Sequence, residues 1–294
     1  MNETTAEINL PTDEPVEMVA LAVKKSAIRC RILSTGQPVT LRGAGMEVEG
    51  EILTVIPSKI WRFGRTNYMS GKVLSTRIDI PALHLKPLGL IRFSLWNPEE
   101  DYWMEPDEPV PAWLQMIFDY GPRHAYKMEQ VIPFQDPQDI DSDPIFEAVN
   151  CHDAGDFDGA YKIMEKLLVA DLRCIDAHAH LGTWVFNRTR RHSEFIIDKA
   201  RRHYEIGIRI GELSLGDDFN GLLPWGLIDN RPFLRCLHGY GLSLWRLGRP
   251  GDARMVFERI LWLNPNDNQG VRFLLDDIDE GLKWEDISEQ ALSM

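Results

Sequence analysis

The stretch "GYGLSLWRLGRPGDARMVFERIL", residues 239–261, decides the fold, because its glycines suit a phosphate-cradling loop while its apolar residues suit two packed helices. A partial copy lies upstream. Aligning "AVNCHDAGDFDGAYKIMEKLL" (148–168) with 241–261 puts Ala148 on Gly241, Gly155 on Gly248, Ala160 on Ala253, Met164 on Phe257 and Leu167–Leu168 on Ile260–Leu261. Small residues recur where two helices would cross, and large apolar ones where they would fill the space beside the crossing. Gly241 then marks a crossing and Gly248 the turn between paired helices. Gly239, costly inside a helix by about 1 kcal/mol relative to alanine, stays unexplained.

On these residues the C-terminal half resembles the tetratricopeptide repeat, a pair of antiparallel helices. The best match begins at Leu234 and sets Leu237, Tyr240, Gly241, Leu244, Gly248, Ala253, Phe257, Ile260, Leu261 and Pro265 on signature positions. A middle copy begins at Ile175 with Leu181 and Gly182; its second helix, through Ala200, Tyr204 and Gly207, fits after a lengthened turn around "RHSEF". The first copy begins near Asp141, and Pro144 and Leu172 depart from the pattern. An insertion, "LGDDFNGLLPWGLIDNRPF" (215–233), precedes the last copy and reads either as an ordered loop packed through Phe219, Trp225 and Phe233 or as filler for a missing helix. After Pro265 comes an amphipathic stretch suited to capping the array.

The resemblance implies a peptide-binding groove lined by the first helix of each pair. Carried onto this chain, the groove positions are Arg235, His238, Leu242 and Trp245 in the last copy, and Asp176, Ala179, Thr183 and Phe186 in the middle one. Spacing independently puts 235, 238, 242 and 245 along one helix face. Arg235 and Arg246, with Arg231 from the insertion, suit a peptide carboxylate held by forked hydrogen bonds. The lysine and asparagine set of the chaperone-docking members is not reproduced. Solvated arginines and a packed Trp245 are the competing reading.

The net charge of -13 is unevenly spread. Residues 1–23 carry five acids and no base, residues 24–92 twelve bases and four acids, and residues 93–294 twenty bases and thirty-six acids, which implies parts that face different partners. Residues 1–20 read as a disordered acidic tail. Residues 21–96 read as a basic β-rich domain. Its runs "AIRCRIL", "VTLRG", "MEVEGEILTVIP", "SKIWRFGRTNY" and "SGKVLSTRIDI" predict five or six antiparallel strands in a small barrel or curled sheet. Within 59–72, Trp61, Phe63 and Tyr68 interleave with Lys59, Arg62, Arg65 and Lys72, the mixture that stacks bases and neutralises phosphates. The same letters describe an inward aromatic row and a solvated basic face, since Trp61 and Phe63 share one side of a strand and Arg62 takes the other. "RGAGMEVEG" (42–50) lacks the third glycine and following helix of a nucleotide-binding turn, so it reads as a turn or bulge.

Residues 97–140, rich in acid and proline, read as a linker with short helices at 111–121 and in "HAYKMEQVI" (124–132). Asp139, Asp141 and Asp143 have calcium-loop spacing, but Pro144 and Asn150 stand where a glycine and the last ligand belong, leaving Ser142 or Asp143 as a helix N-cap. His178 and His180 do not share a helix face, so no metal site is expected. The four cysteines form no CxxC pair, which suits reduced thiols, and the acidic N-terminus lacks the marks of a signal peptide; a cytoplasmic location is expected. No catalytic motif occurs and no cofactor is expected; Asp217, Asp218, Asp229 and Arg231 are the only cluster suggesting an enzyme.

These readings predict an α+β chain: a small antiparallel β-barrel followed by an all-α repeat domain over 141–294. The function expected is that of a non-enzymatic adaptor, its groove taking a peptide or protein and its β-domain a second, anionic partner. The alternative is a nucleic-acid- or ribosome-binding protein acting through the β-domain.

Overall fold

The computed structural model describes residues 8, 12–43, 45–102, 109–136, 138–139, 142–188 and 193–286. Two compact units interleave along the chain: Met1–Lys86 with Val131–Ala177, and Pro87–Gln130 with His178–Met294.

In the first unit, β1 (Val16–Lys24), β2 (Ala27–Ile32), β3 (Pro38–Arg42), β4 (Ile52–Phe63) and β5 (Thr66–Arg77) form a closed barrel in the order β1-β2-β3-β5-β4. Every pairing is antiparallel except β3 with β5, which is parallel and closes the barrel. Inward residues such as Met18, Ile28, Cys30, Leu41, Leu53 and Met69 build the core. β1 starts within the stretch expected as tail: Val16, Met18, Val19 and Ala20 are all buried, so those residues are strand. Residues 1–7 and 9–11 of that tail lie outside the described residues. β4 runs through Pro57, which divides two runs of the sequence, because a register irregularity between Pro57 and Lys59 absorbs the missing N–H. Pro57 faces Gly71 across the ladder, where a Cβ would lie 2.3 Å from the carbonyl oxygen of Ile56. The 45–51 segment is a turn tied down by buried carboxylates: Glu49 accepts from the Val23 amide and Glu51 from the Val48 amide, each at 2.9 Å.

Two helices complete this unit, α3 (Pro144–Asp153) and α4 (Phe157–Ala170), numbered after two short helices of the second unit. Asp143 caps α3 by accepting from the Ile145 amide; Asp141 lies outside the described residues. Val19 and Leu21, on the side of β1 away from the barrel core, are buried as well, and α4 packs on β1. The helical run expected over 141–294 is therefore divided, its first pair belonging to the barrel's unit. β1 draws α3 and α4 there because it is apolar on both faces, a property invisible in a repeat alignment.

In the second unit, β6 (Leu90–Trp96) and β7 (Arg123–Met128) form an antiparallel ribbon, with α1 (Pro98–Asp101) and α2 (Ala112–Tyr120) between them. The stretch expected as a helix from His124 is thus strand β7: long-range pairing with β6 overrides a weak local preference. It is extended further by Leu222 of the insertion, whose amide donates to the His124 carbonyl while the Tyr126 amide donates to the Leu222 carbonyl, both at 2.8 Å. Asn230 is fully buried; it accepts from the Met128 amide and donates to the Tyr126 and Pro224 carbonyls. The insertion is an ordered, packed loop.

The remaining helices are α5 (Ile175–Asn187, in this unit from His178), α6 (Glu194–Leu215), α7 (Arg231–Arg246), α8 (Pro250–Leu263) and α9 (Val271–Asp279). Among α5, α6, α7 and α8 the packing repeatedly sets an aromatic ring on a glycine. A Cβ at Gly182 or Gly239 would lie 2.6 or 2.2 Å from the ring of Tyr204, one at Gly211 2.4 Å from Phe233, and one at Gly241 2.4 Å from Phe257. Gly239 is thereby explained: its missing side chain is the space for Tyr204. The aligned pairs α3–α4 and α7–α8 match in detail, with Gly155 and Gly248 at φ +86 and +73 in the two turns and Ala160, Ala253, Met164 and Phe257 all fully buried. Among the described residues, no helix is long and apolar enough to cross a membrane.

Alanine at Gly239 gains about 1 kcal/mol in helix propensity but overpacks against a rigid ring, at a cost of about 1–3 kcal/mol or more. Gly239→Ala is expected to lower the urea midpoint, whereas Gly251→Ala, in α8 with nothing within 4 Å, is expected not to. Equal midpoints for the two variants would contradict this packing.

Candidate functional site

The outer face of the barrel carries a row that crosses four strands. Arg29 on β2 pairs with Thr40 on β3, Thr40 with Tyr68 on β5, and Tyr68 with Trp61 on β4. Because side chains alternate along a strand, Asn67 and Met69 point into the barrel while Tyr68 points out. Trp61 and Tyr68 stack with centroids 5.6 Å apart and an interplanar angle of 14°. The Arg42 guanidinium lies 4.9 Å from the Tyr68 centroid and the Lys59 ammonium 5.6 Å from that of Trp61. Phe63 sits at the tip of the β4–β5 hairpin, 78% exposed, beside Gly64 at φ +58. There Arg62 donates to the Gly64 carbonyl and Arg65 is exposed. Lys72 projects on the same side of β5 as Tyr68 and is exposed.

The inward aromatic row entertained from the sequence is not what forms. Aliphatic residues and Met69 already fill the barrel, so Trp61, Tyr68 and Phe63 are left on the outside with the cations. Beside the row an open cleft of about 410 Å³ is lined by Arg29, Val39, Thr40, Arg65, Asn67 and Tyr68. The only carboxylates between residues 24 and 77 are Glu47, Glu49 and Glu51, all buried, so nothing on strands β2–β5 offsets this positive field at the surface.

On the helical unit the expected groove residues separate into two places. Arg231 donates to the Trp225 carbonyl at 3.0 Å, and the guanidinium carbons of Arg231 and Arg235 lie 5.2 and 5.9 Å from the Trp225 ring. Arg246 is at the other end of α7, roughly 16 Å from Arg235 and roughly 22 Å from Arg231 at about 1.5 Å per residue. It donates to the Phe186 carbonyl and lies 5.0 Å from the Phe186 ring and 5.7 Å from Trp284. Helix length thus prevents the three arginines from gripping one carboxylate. Trp245 is 3% exposed; its Nε1 donates to the Leu282 carbonyl and its ring meets Trp284 edge-on at 6.2 Å. Leu242 is half-buried, and His238 lies against Phe257 with ring centroids 6.2 Å apart.

His178 faces His203 at 6.4 Å, while His180 turns to Trp184 at 5.9 Å. Among the described residues, no group of three or more His, Cys, Asp or Glu is placed to hold a metal ion. In the insertion, Asp229 pairs with Lys127 at 3.2 Å, while Asp217 and Asp218 are exposed.

Two features have no counterpart in the sequence reading. An open cleft of about 320 Å³ lies among α6, α7 and α8, lined by Arg209, Tyr240, Leu244, Met255 and Arg259; its charges are largely matched, as in Arg259–Glu212 at 2.9 Å. Arg123 is 3% exposed, with its guanidinium 3.9 Å from the Trp262 ring and near Trp96 and Tyr120. It donates to the Trp262 carbonyl, Nε and Nη2 lack hydrogen-bond partners, and burial pushes its pKa down to about 10. A lone arginine in a polar-looking strand gives no hint of such a box. Comparison with protein-family models, curated proteins and solved structures finds no match for this chain.

Burial pushes the His238 pKa down to about 4, so in the folded state it stays neutral well below the usual histidine range. The unfolded chain then binds the extra proton, so this contribution to stability is present above about pH 6.5 and is lost as pH falls toward 4. At about 1.4 kcal/mol per unit, the loss amounts to about 2–3 kcal/mol. Urea midpoints of the wild type and His238→Gln, measured from pH 7 to pH 4, should converge as pH falls; parallel curves would contradict the assignment.

Proposed function

We propose that this chain is a non-enzymatic binding protein whose barrel face takes a single-stranded nucleic acid. The observation that carries this reading is the Arg29–Thr40–Tyr68–Trp61 row, flanked by Arg42, Lys59, Arg65 and the exposed Phe63. Such a partner needs cations spaced along a backbone and aromatic surface for bases, and stacking contributes about 1–3 kcal/mol per base. Small five-stranded Greek-key barrels bind oligonucleotides on the face of strands 2 and 3, a fold-level analogy consistent with where the row lies. The net acidity of the whole chain would weaken non-specific attraction and favour this one surface.

A peptide partner on the helical unit is the second reading, and it makes the protein an adaptor with two surfaces. It is favoured by Leu282 and Trp284, which already lie against Trp245 as a peptide would. The four cysteines form no disulfide, which suits a reducing, cytoplasmic setting.

Titrating the full chain with a fluorescent single-stranded RNA over a salt series tests the barrel reading. Trp61→Ala should weaken binding about tenfold at fixed salt, within the stacking range. Arg42→Ala should reduce the slope of log K against log salt by about 0.7. No binding at low salt, or binding indifferent to both substitutions, would refute it.

A further inference from the structure

We infer that the stripe formed by Phe186, Trp245 and Arg246 is a docking site for a short segment built on tryptophan followed by acidic residues, and that the chain's own Leu282–Asp286 occupies it as an internal ligand. The inference rests on the peptide reading of the helical unit and names the chemistry of its occupant.

The chain leaves α9 through Gly281, which adopts φ +77, and then crosses the stripe. Its contacts there come from contiguous residues. The Leu282 carbonyl accepts from Trp245 Nε1, and the Trp284 ring meets Phe186 and Trp245 edge-on at 5.6 and 6.2 Å. Arg246 lies over the other rings, and burial lowers its pKa while the negative charge of Glu285 acts in the opposite direction. A backbone carbonyl and an indole of this segment thus meet the stripe, with the Glu285 charge acting on Arg246, and a separate peptide of the same pattern presents the same groups. Trp284 itself is only half-buried and Glu285 is exposed, so the occupant lies at the surface, outside the core.

At its start the segment is tied to the helix before it, the Leu282 amide donating to the Asp277 carbonyl at 3.0 Å. α9 is anchored on α8 through the buried Val271 and Leu275 and an Arg254–Asp279 ion pair. Releasing the Trp284 ring and the residues after it therefore does not require α9 to move. An internal ligand of this kind lowers the apparent affinity for an external one by the fraction of time the site is open, and weakening it restores that affinity.

The test titrates the full-length protein with the synthetic peptide DEGLKWEDIS, residues 279–288. Trp284→Ala should bind it at least tenfold more tightly than the wild type does, and Arg246→Ala added to Trp284→Ala should cost at least tenfold. Circular dichroism confirms that the variants fold. Should Trp284→Ala not fold, Glu285→Lys, altered at an exposed side chain, replaces it and should also bind the peptide more tightly than the wild type. No gain in affinity on opening the site overturns the inference. If the opened site then takes other peptides in an Arg246-dependent way, the groove survives with a different occupant; if it takes none from a peptide array, the groove reading falls with it.

Discussion

The ring of Tyr204 between Gly182 and Gly239 is the constraint on which the second unit depends. With no side chain at either glycine, α5 and α7 both approach one aromatic ring of α6. The contact is anchored, since the Tyr204 hydroxyl donates to Thr183 Oγ1 and that hydroxyl donates to the Ala179 carbonyl. Phe233 over Gly211 and Phe257 over Gly241 repeat the device along the array. Because α5 and α7 are held at that spacing, Phe186 near the end of one and Trp245 near the end of the other come close enough to share Trp284.

A different physical rule shapes the first unit. The barrel closes on aliphatic side chains and Met69, and the three glutamates of the 45–51 turn are consumed inside, two of them by accepting backbone amides. Burying those carboxylates leaves the outer face around Trp61 and Tyr68 with the cations Arg29, Arg42, Lys59 and Arg65 and no acid among residues 24–77 at the surface. The result is a strongly positive face on a chain of net charge -13, with an aromatic pair set into it.

Several elements were legible because their cause is local. The turn glycines 155 and 248, the cap at Asp143, the small residues at the crossings and the alternation of the barrel strands each follow from a neighbour within a few residues. Strand β7 and the start of β1 were not legible for the opposite reason. Arg123–Met128 becomes strand through partners at Leu90–Trp96 and Leu222, and Val16–Ala20 is taken into a barrel whose other strands lie elsewhere in the chain. The site residues divide in the same way. That 59–72 mixes cations with aromatics is visible in the letters; which side of the strand faces water depends on how full the barrel already is.

The order of residues is enough to place a small β-barrel before paired helices, to mark where those helices turn, and to put the positive charge in the first part. Long-range packing is what brings the first helix pair into the barrel's unit, stacks Trp61 and Tyr68 on the outside, and covers Trp245 with the chain's own Trp284. Periodicity and turn chemistry are properties of adjacent residues, whereas burial depends on which distant surfaces compete for the same space.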